Sequence, residues 1–378
     1  MLKQLRSLWL KSARALTDAQ RQQTGALAKQ LRATAKKNAV LPTPSVRTVP
    51  RSLPTGSWRK ASFVAGAAEQ IDGVAPGKRM DYWLYQPAAM VSGVTPLVVM
   101  LHGCEQTAVE FAAGTRMNRL ADSKGFGVLY PQQSSSAHSH RCWPWYKKEV
   151  QGGGAEARII AAIMRREIAR CEFDPARVYV AGLSAGAAMA HIIALRYPQL
   201  VAAVGLHSGP IFGATGSSVG AYGVMQRGGL KAVGSAIDSV TRASPDGFPP
   251  MPAILIQGRQ DNVVRPVNLH QLKLQFCRLN HLTAANRQPH RYHPAGRTAR
   301  AAHAYEMVDY RLGKKVMLRT CDVWQLDHAW SGGDAKYRFN ARKGPDASRL
   351  LWQFFAPHRR LPKQLASITV SPGSAAAE

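Results

Sequence analysis

From about residue 61 the chain alternates short, continuous apolar runs with longer segments whose apolar residues recur every three or four positions. A short unbroken run suits a strand covered on both faces, and the longer period suits a helix packed against such a strand. The runs predict strands at 82–85, 97–101, 127–130, 178–181, 202–206, 253–256 and 316–326, with helices over 107–123, 155–170, 185–197, 267–279 and 346–355. In the second helix Ile159, Ile160, Ile163, Met164 and Ile168 form one apolar stripe, read as core. This is the texture of an α/β fold, a mostly parallel sheet wrapped by helices. Residues 209–250, rich in Gly and Ser, break the alternation and are expected to form an insertion over one edge of the sheet near the site.

Both ends depart from this texture. Leu2, Leu5, Trp9, Ala13 and Leu16 recur at spacings of three and four, predicting an amphipathic basic helix, and Pro42, Pro44, Pro50 and Pro54 mark an irregular linker. The tail ends in Ser, Gly and Ala and is expected to be loose. The expected division is a basic arm with its linker over 1–60, one catalytic domain over 61–360 and a tail over 361–378.

Charge adds a second hypothesis. The 378 residues include 50 Lys and Arg against 22 Asp and Glu, a formal net charge of +28, and residues 1–60 hold 13 of those bases against the single acid Asp18. Such an arm would attract anionic membranes, nucleic acid or charged polymer granules; the bland alternative is a solvated surface. Nucleic acid is the weakest of these partners, because there is no zinc finger, no RNA-recognition signature and no P-loop, and Gly152-Gly-Gly154 lacks the following Gly-Lys.

A hydrophobic content of 46% excludes a largely disordered chain. No apolar run nears the roughly 18 residues of a membrane span, which excludes a transmembrane protein. Lys11 and Arg14 interrupt the stretch a secretory signal would need, so none is expected. The five cysteines, Cys104, Cys142, Cys171, Cys277 and Cys321, contain no CxxC pair and no zinc spacing. Neither a metal nor another cofactor is expected, and up to two disulfides leave the redox compartment open.

The most informative stretch is Val178-Tyr-Val-Ala-Gly182-Leu183-Ser184-Ala185-Gly186, an apolar strand running through GxSxG into a helical segment. This context holds a serine on a sharp bend where bulkier neighbours would clash, and lifts its hydroxyl above the sheet. A bare GxSxG is weak, and its alternative is a structural turn. A serine hydroxyl needs a base, and the base an orienting carboxylate. Asp261 follows the strand segment Ala253-Ile-Leu-Ile-Gln-Gly258 by way of Arg259 and Gln260, and His328 ends another strand in the glycine-flanked Trp324-Gln-Leu-Asp327-His328-Ala-Trp330-Ser-Gly-Gly333. These positions lie beyond the carboxyl ends of strands, where sites form in such sheets. Asp261 has a loop or helix-capping role as its alternative. Asp327 is the rival acid, but neighbouring side chains on an extended strand point to opposite faces. The loop His102-Gly103-Cys104 after strand 97–101 would offer the Cys104 N–H to a developing oxyanion, with the Ala185 N–H as the second donor. His102 is then a structural residue of that loop rather than a base.

These motifs resemble the polyhydroxybutyrate depolymerase family of esterases, which also holds feruloyl and acetyl xylan esterases. The matching segments are Leu101-His-Gly-Cys-Glu-Gln-Thr107, Cys142-Trp-Pro-Trp145, Gly182-Leu-Ser-Ala-Gly186, His328-Ala-Trp-Ser-Gly-Gly333 and Gly344-Pro-Asp-Ala-Ser348, spanning roughly residues 75 to 357. The resemblance implies an α/β-hydrolase fold, Ser184 as nucleophile, Asp261 as acid and His328 as base, and a disulfide between Cys104 and Cys142 bracing the oxyanion loop. It also implies an extracellular protein, which conflicts with the missing signal and leaves a cytoplasmic one as the alternative. Gln257, Ala187, Asp327 and Ser331 depart from the family's usual residues without removing a reacting group.

The expected activity is that of a serine carboxylic ester hydrolase on short-chain poly(3-hydroxyalkanoate) or its oligomers. The alternatives are a feruloyl or acetyl xylan esterase, and a granule- or membrane-binding protein whose hydrolase pocket is occluded by the insertion. Trp143, Trp145 and Trp330 lie in the motif segments and would suit an apolar or phenolic substrate wall, with core or loop packing as their bland role.

Overall fold

The computed structural model describes residues 55–66, 76–229, 233–244, 247–292 and 303–360. The amphipathic helix and linker expected within 1–54, and the tail after 360, lie outside the described residues. The first strand, β1 (Ser57–Val64), begins ahead of the expected domain boundary at 61.

Ten described strands form one sheet in the order β1-β2-β4-β3-β5-β6-β7-β10-β9-β8. The others are β2 (Arg79–Gln86), β3 (Leu97–Leu101), β4 (Gly127–Pro131), β5 (Val178–Leu183), β6 (Ala203–His207), β7 (Ala253–Gly258), β8 (Arg287–Tyr292), β9 (Tyr305–Leu312) and β10 (Lys315–Val323). The six strands from β4 to β10 pair in parallel, whereas β1, β2, β8 and β9 join antiparallel at the two edges. Helices then occupy the crossovers, as parallel pairing requires.

β3 to β7 are buried along their whole length, which is why each reads as an unbroken apolar run. The edge strands are different. SWRKASFV, RQPHRY and YEMVDYRL mix polar with apolar residues, so β1, β8 and β9 lack the unbroken apolar run that marks the expected strands. β10 stops at Val323 rather than 326, since the Val323 carbonyl accepts from Arg259 N and the Leu326 carbonyl from Gln260 N.

The expected helix over 107–123 is two helices, α1 (Ala108–Thr115) and α2 (Met117–Lys124), with Arg116 left-handed between them at φ 57°. The reason is tertiary. The Gly114 carbonyl accepts from Asp334 N at 2.8 Å and the Thr115 carbonyl from Ser348 Oγ at 2.7 Å, so both groups bond outside the helix. Further along lie α3 (Lys148–Gln151), α4 (Ala155–Arg170), α5 (Ala185–Arg196), α6 (Ser218–Arg227), α7 (Ser235–Arg242), α8 (Val267–Leu279) and α9 (Ala347–Phe355). α6 and α7 belong to the stretch read as an insertion.

Candidate active site

β5 ends at Leu183, α5 starts at Ala185, and Ser184 between them takes φ 57° and ψ −121°. A left-handed non-glycine residue costs roughly 1–3 kcal/mol and persists only where its surroundings enforce it. Here they do. A Cβ on Gly182 would stand 2.4 Å from the Gly186 backbone, and one on Gly186 would stand 2.1 Å from the Leu101 carbonyl oxygen. The two glycines therefore let the bend close on itself and on the end of β3. The Ser184 N–H is taken by the His207 carbonyl at 2.9 Å, and the serine itself keeps 7% exposure.

Packing of the elbow against β3 brings the next loop alongside, so that a Cβ on Gly103 would lie 3.6 Å from Ser184 Cβ. Gly103 N donates to Gln106 Oε1 at 2.9 Å, and Gln106 Nε2 to the Arg338 carbonyl at 3.1 Å, which pins the turn. Cys104 is joined to Cys142 by a disulfide with a Cα–Cα distance of 4.3 Å. Among the described residues neither the Cys104 N–H nor the Ala185 N–H donates to an acceptor of the chain. Ala185 also opens a twelve-residue helix, whose N-terminus favours negative charge.

His102 is fully buried: its Nδ1 sits 2.8 Å from the Gly103 carbonyl oxygen and its Nε2 accepts from Gln133 N at 3.1 Å. Burial pushes its pKa down to about 4, and both ring nitrogens are engaged, so the neutral ring braces the loop.

Asp261 and His328 meet. β7 and β10 are adjacent and parallel, with Gly258 opposite Val323, so the loops leaving them run side by side. His328 Nδ1 donates to Asp261 Oδ2 at 2.8 Å, with both side chains buried. The Asp261 carboxylate also accepts from Val263 N at 2.9 Å, Val264 N at 2.8 Å and Gln257 Nε2 at 2.9 Å. Asp327 keeps partial exposure, and Asp261 holds the imidazole instead. With Nδ1 committed, the Nε2 edge of His328 is the one left for chemistry. Among the described residues no hydrogen bond joins it to Ser184 Oγ.

The elbow and the loop carrying His328 nevertheless converge on His207, at the end of β6 opposite Leu183. Its ring stacks on Trp330 at 5.1 Å and accepts from Ser331 N at 3.2 Å, two groups that closely follow His328. α6 leans on the acid loop from the other side, with Gln226 Nε2 donating to the Asn262 and Val263 carbonyls at 3.0 Å each.

The expectation of a tryptophan wall needs correction. Trp143 and Trp330 are 0% and 1% exposed. Trp143 Nε1 donates to the His102 carbonyl at 2.9 Å, and Trp330 is packed between Phe111 and His207 with Nε1 on Ser348 Oγ. Both brace the site's loops from behind and offer no face to a ligand. Trp145, at 6%, is as accessible as Ser184. The sequence reading did not assign roles to Gln257 or His207. The first was legible only as a polar residue inside an apolar strand, the second as a histidine at a strand's carboxyl end.

Among the described residues there is no group of His, Cys, Asp and Glu able to hold a metal ion, and no helix long and apolar enough to cross a membrane.

The chain superposes on acetyl xylan esterase from Aspergillus awamori with a TM-score of 0.61, over 80% of this chain and 99% of that one, at 18% identity. The likeness is one of fold, and the fold is that of the α/β-hydrolases. Poly(3-hydroxyalkanoate) depolymerase C of Paucimonas lemoignei is 33% identical over 207 residues, 54% of this chain and 49% of the relative. Acetylxylan esterase A of Talaromyces purpureogenus is 33% identical over 150 residues, 38% of each chain. The chain thus spans half or less of the length of these curated relatives. The family model described as Esterase PHB depolymerase matches residues 80–298, and the chain belongs to that family.

Proposed function

We propose that the chain is a serine carboxylic ester hydrolase acting through an acyl-enzyme on short-chain poly(3-hydroxyalkanoate) or its oligomers. The observation that carries this reading is the buried 2.8 Å contact between His328 Nδ1 and Asp261, in a loop that packs on the same residue as the strained Ser184 elbow. In the proposed reaction Ser184 Oγ attacks the ester carbonyl carbon while His328 Nε2 takes its proton. The oxyanion is met by the Cys104 and Ala185 N–H groups, each such donor being worth about 3–4 kcal/mol in comparable enzymes. Collapse breaks the ester C–O bond, and His328 returns the proton to the departing alcohol. Water then repeats the sequence on the acyl-serine and releases the acid.

The choice of a polyester is supported by the depolymerase relative, 33% identical over 207 residues. The acetylxylan esterase relative favours a second reading, acetyl or feruloyl esters of plant cell-wall polysaccharide. Release of 3-hydroxybutyrate from its oligomers against release of acetate from acetylated xylan separates the two. The Cys104–Cys142 bond supports an oxidising, extracellular setting, since such bonds are rare in the cytosol.

Ser184→Ala is the test of the chemistry. It should abolish p-nitrophenyl acetate hydrolysis and fluorophosphonate labelling while thermal unfolding stays close to wild type. Turnover near the wild-type rate would remove Ser184 from the role, and labelling absent from the wild type would favour an occluded pocket.

A further inference from the structure

We propose that His207 is a positioning residue for the base, one that sets the His328 loop at the height of the Ser184 hydroxyl. This rests on the acyl-enzyme reading above and adds to it a residue that does not touch substrate.

The geometry is that of a clasp between two loops far apart in sequence. Through its backbone His207 closes the elbow, its carbonyl accepting the Ser184 N–H at 2.9 Å. Through its ring it holds the base loop: Nε2 accepts from Ser331 N at 3.2 Å, and the ring face lies 5.1 Å from Trp330 at an interplanar angle of 24°. Nδ1 lies 3.2 Å from Ser208 Oγ, which fixes the ring's rotation with the acceptor nitrogen toward Ser331. Trp330 is itself immobilised on its other side by Phe111 and Ser348. A shift of the segment after His328 relative to Ser184 would therefore break the ring's hydrogen bond or unstack it.

A neutral side chain is needed for this task. Burial, together with the nearby His328, presses the His207 pKa down to about 3. Its Nε2 lone pair is thus available to Ser331 at neutral pH, and the ring neither competes for the serine proton nor repels the imidazolium formed on His328. A phenyl ring would keep the stack and lose the acceptor. A glutamine would keep an acceptor close to the Nε2 position.

Three variants of the full chain test the proposal: His207→Phe, His207→Gln and His207→Asn, whose amide ends near Nδ1 and falls short of Ser331. With p-nitrophenyl acetate, His207→Phe and His207→Asn should lower kcat roughly 10- to 100-fold, the range that a misplacement of about 1 Å produces, with KM changed less than about twofold. The downfield proton resonance of His328 Nδ1–H should broaden in both and sharpen again in His207→Gln, which should recover most of kcat. Should the phenylalanine variant not fold, the asparagine variant carries the comparison. Wild-type kcat in both apolar and short variants overturns the proposal. So does a loss in all three that simply follows a fall in Tm, because His207 would then be core packing. If Ser184→Ala stays active, the underlying hydrolase reading has failed. If Ser184→Ala is dead and His207→Phe is unimpaired, only the positioning role has.

Discussion

Glu167 on α4 and Asp261 beyond β7 are both buried carboxylates, and they are held in opposite ways. Glu167 is ringed by permanent cations: Arg59 at 2.9 Å and Arg170 at 2.8 Å share Oε2, while Tyr82 donates to Oε1 at 2.5 Å. Asp309 repeats the pattern with a two-pronged Arg319, both contacts at 2.7 Å. Among the described residues Asp261 has no fixed cation. Two backbone N–H groups, one amide and one imidazole surround it. A carboxylate already neutralised by arginine has little further pull on an ion that appears beside it. One stabilised only by dipoles keeps its charge available for an imidazolium on His328. Burial alone therefore does not separate a structural acid from the acid of the proposed triad; the kind of donor does.

The largest effect should come from exchanging that donor pattern without changing shape. Asp261→Asn should lower kcat by about 10⁴, as expected when an amide presents the wrong tautomer partner to the base, with Tm close to wild type. An activity loss below tenfold, read with any p-nitrophenyl ester, would make Asp261 a loop-capping residue. Its counterpart Glu167→Gln should leave kcat unchanged and destabilise the fold by about 2–3 kcal/mol, because the arginines lose their counter-charge in a partly buried setting. Urea unfolding measures this. A Glu167→Gln variant with intact stability and lost activity would reverse the comparison.

Legibility in the sequence followed burial and contact range. β3 to β7 were plain because a strand covered on both faces must be apolar throughout, whereas β1 and β8, open at the edges, carry Arg, Lys, Gln and Pro among their residues. The elbow and the two loops beyond β7 and β10 were legible because each contains its own turn chemistry in contiguous residues. The break at Arg116 was not, since its cause lies in Asp334 and Ser348. The same holds for Trp143 and Trp330. Composition marks them as aromatic surface or as packing with equal ease, and only the partners at His102, Phe111, His207 and Ser348 decide between the two.

The smallest effect concerns a histidine that has neither kind of donor. His191, on the helix that follows Ser184, lies between Phe212 and Phe276 with neither ring nitrogen hydrogen-bonded. Burial holds its pKa down at about 3, against 6.5 for the free side chain. Between those two values the unfolded chain binds a proton that the folded chain does not, so stability is present above pH 6.5 and drains away as pH falls, by about 1.4 kcal/mol per pH unit for each such group. His191→Phe, which fills the same aromatic slot, removes one group from that slope. Between pH 7 and pH 5 the wild type should lose about 2 kcal/mol more stability than the variant in urea unfolding. Equal losses would mean that the folded chain takes up the proton after all. The apolar sandwich of Phe212 and Phe276 around His191 would then admit water as the ring gains its proton.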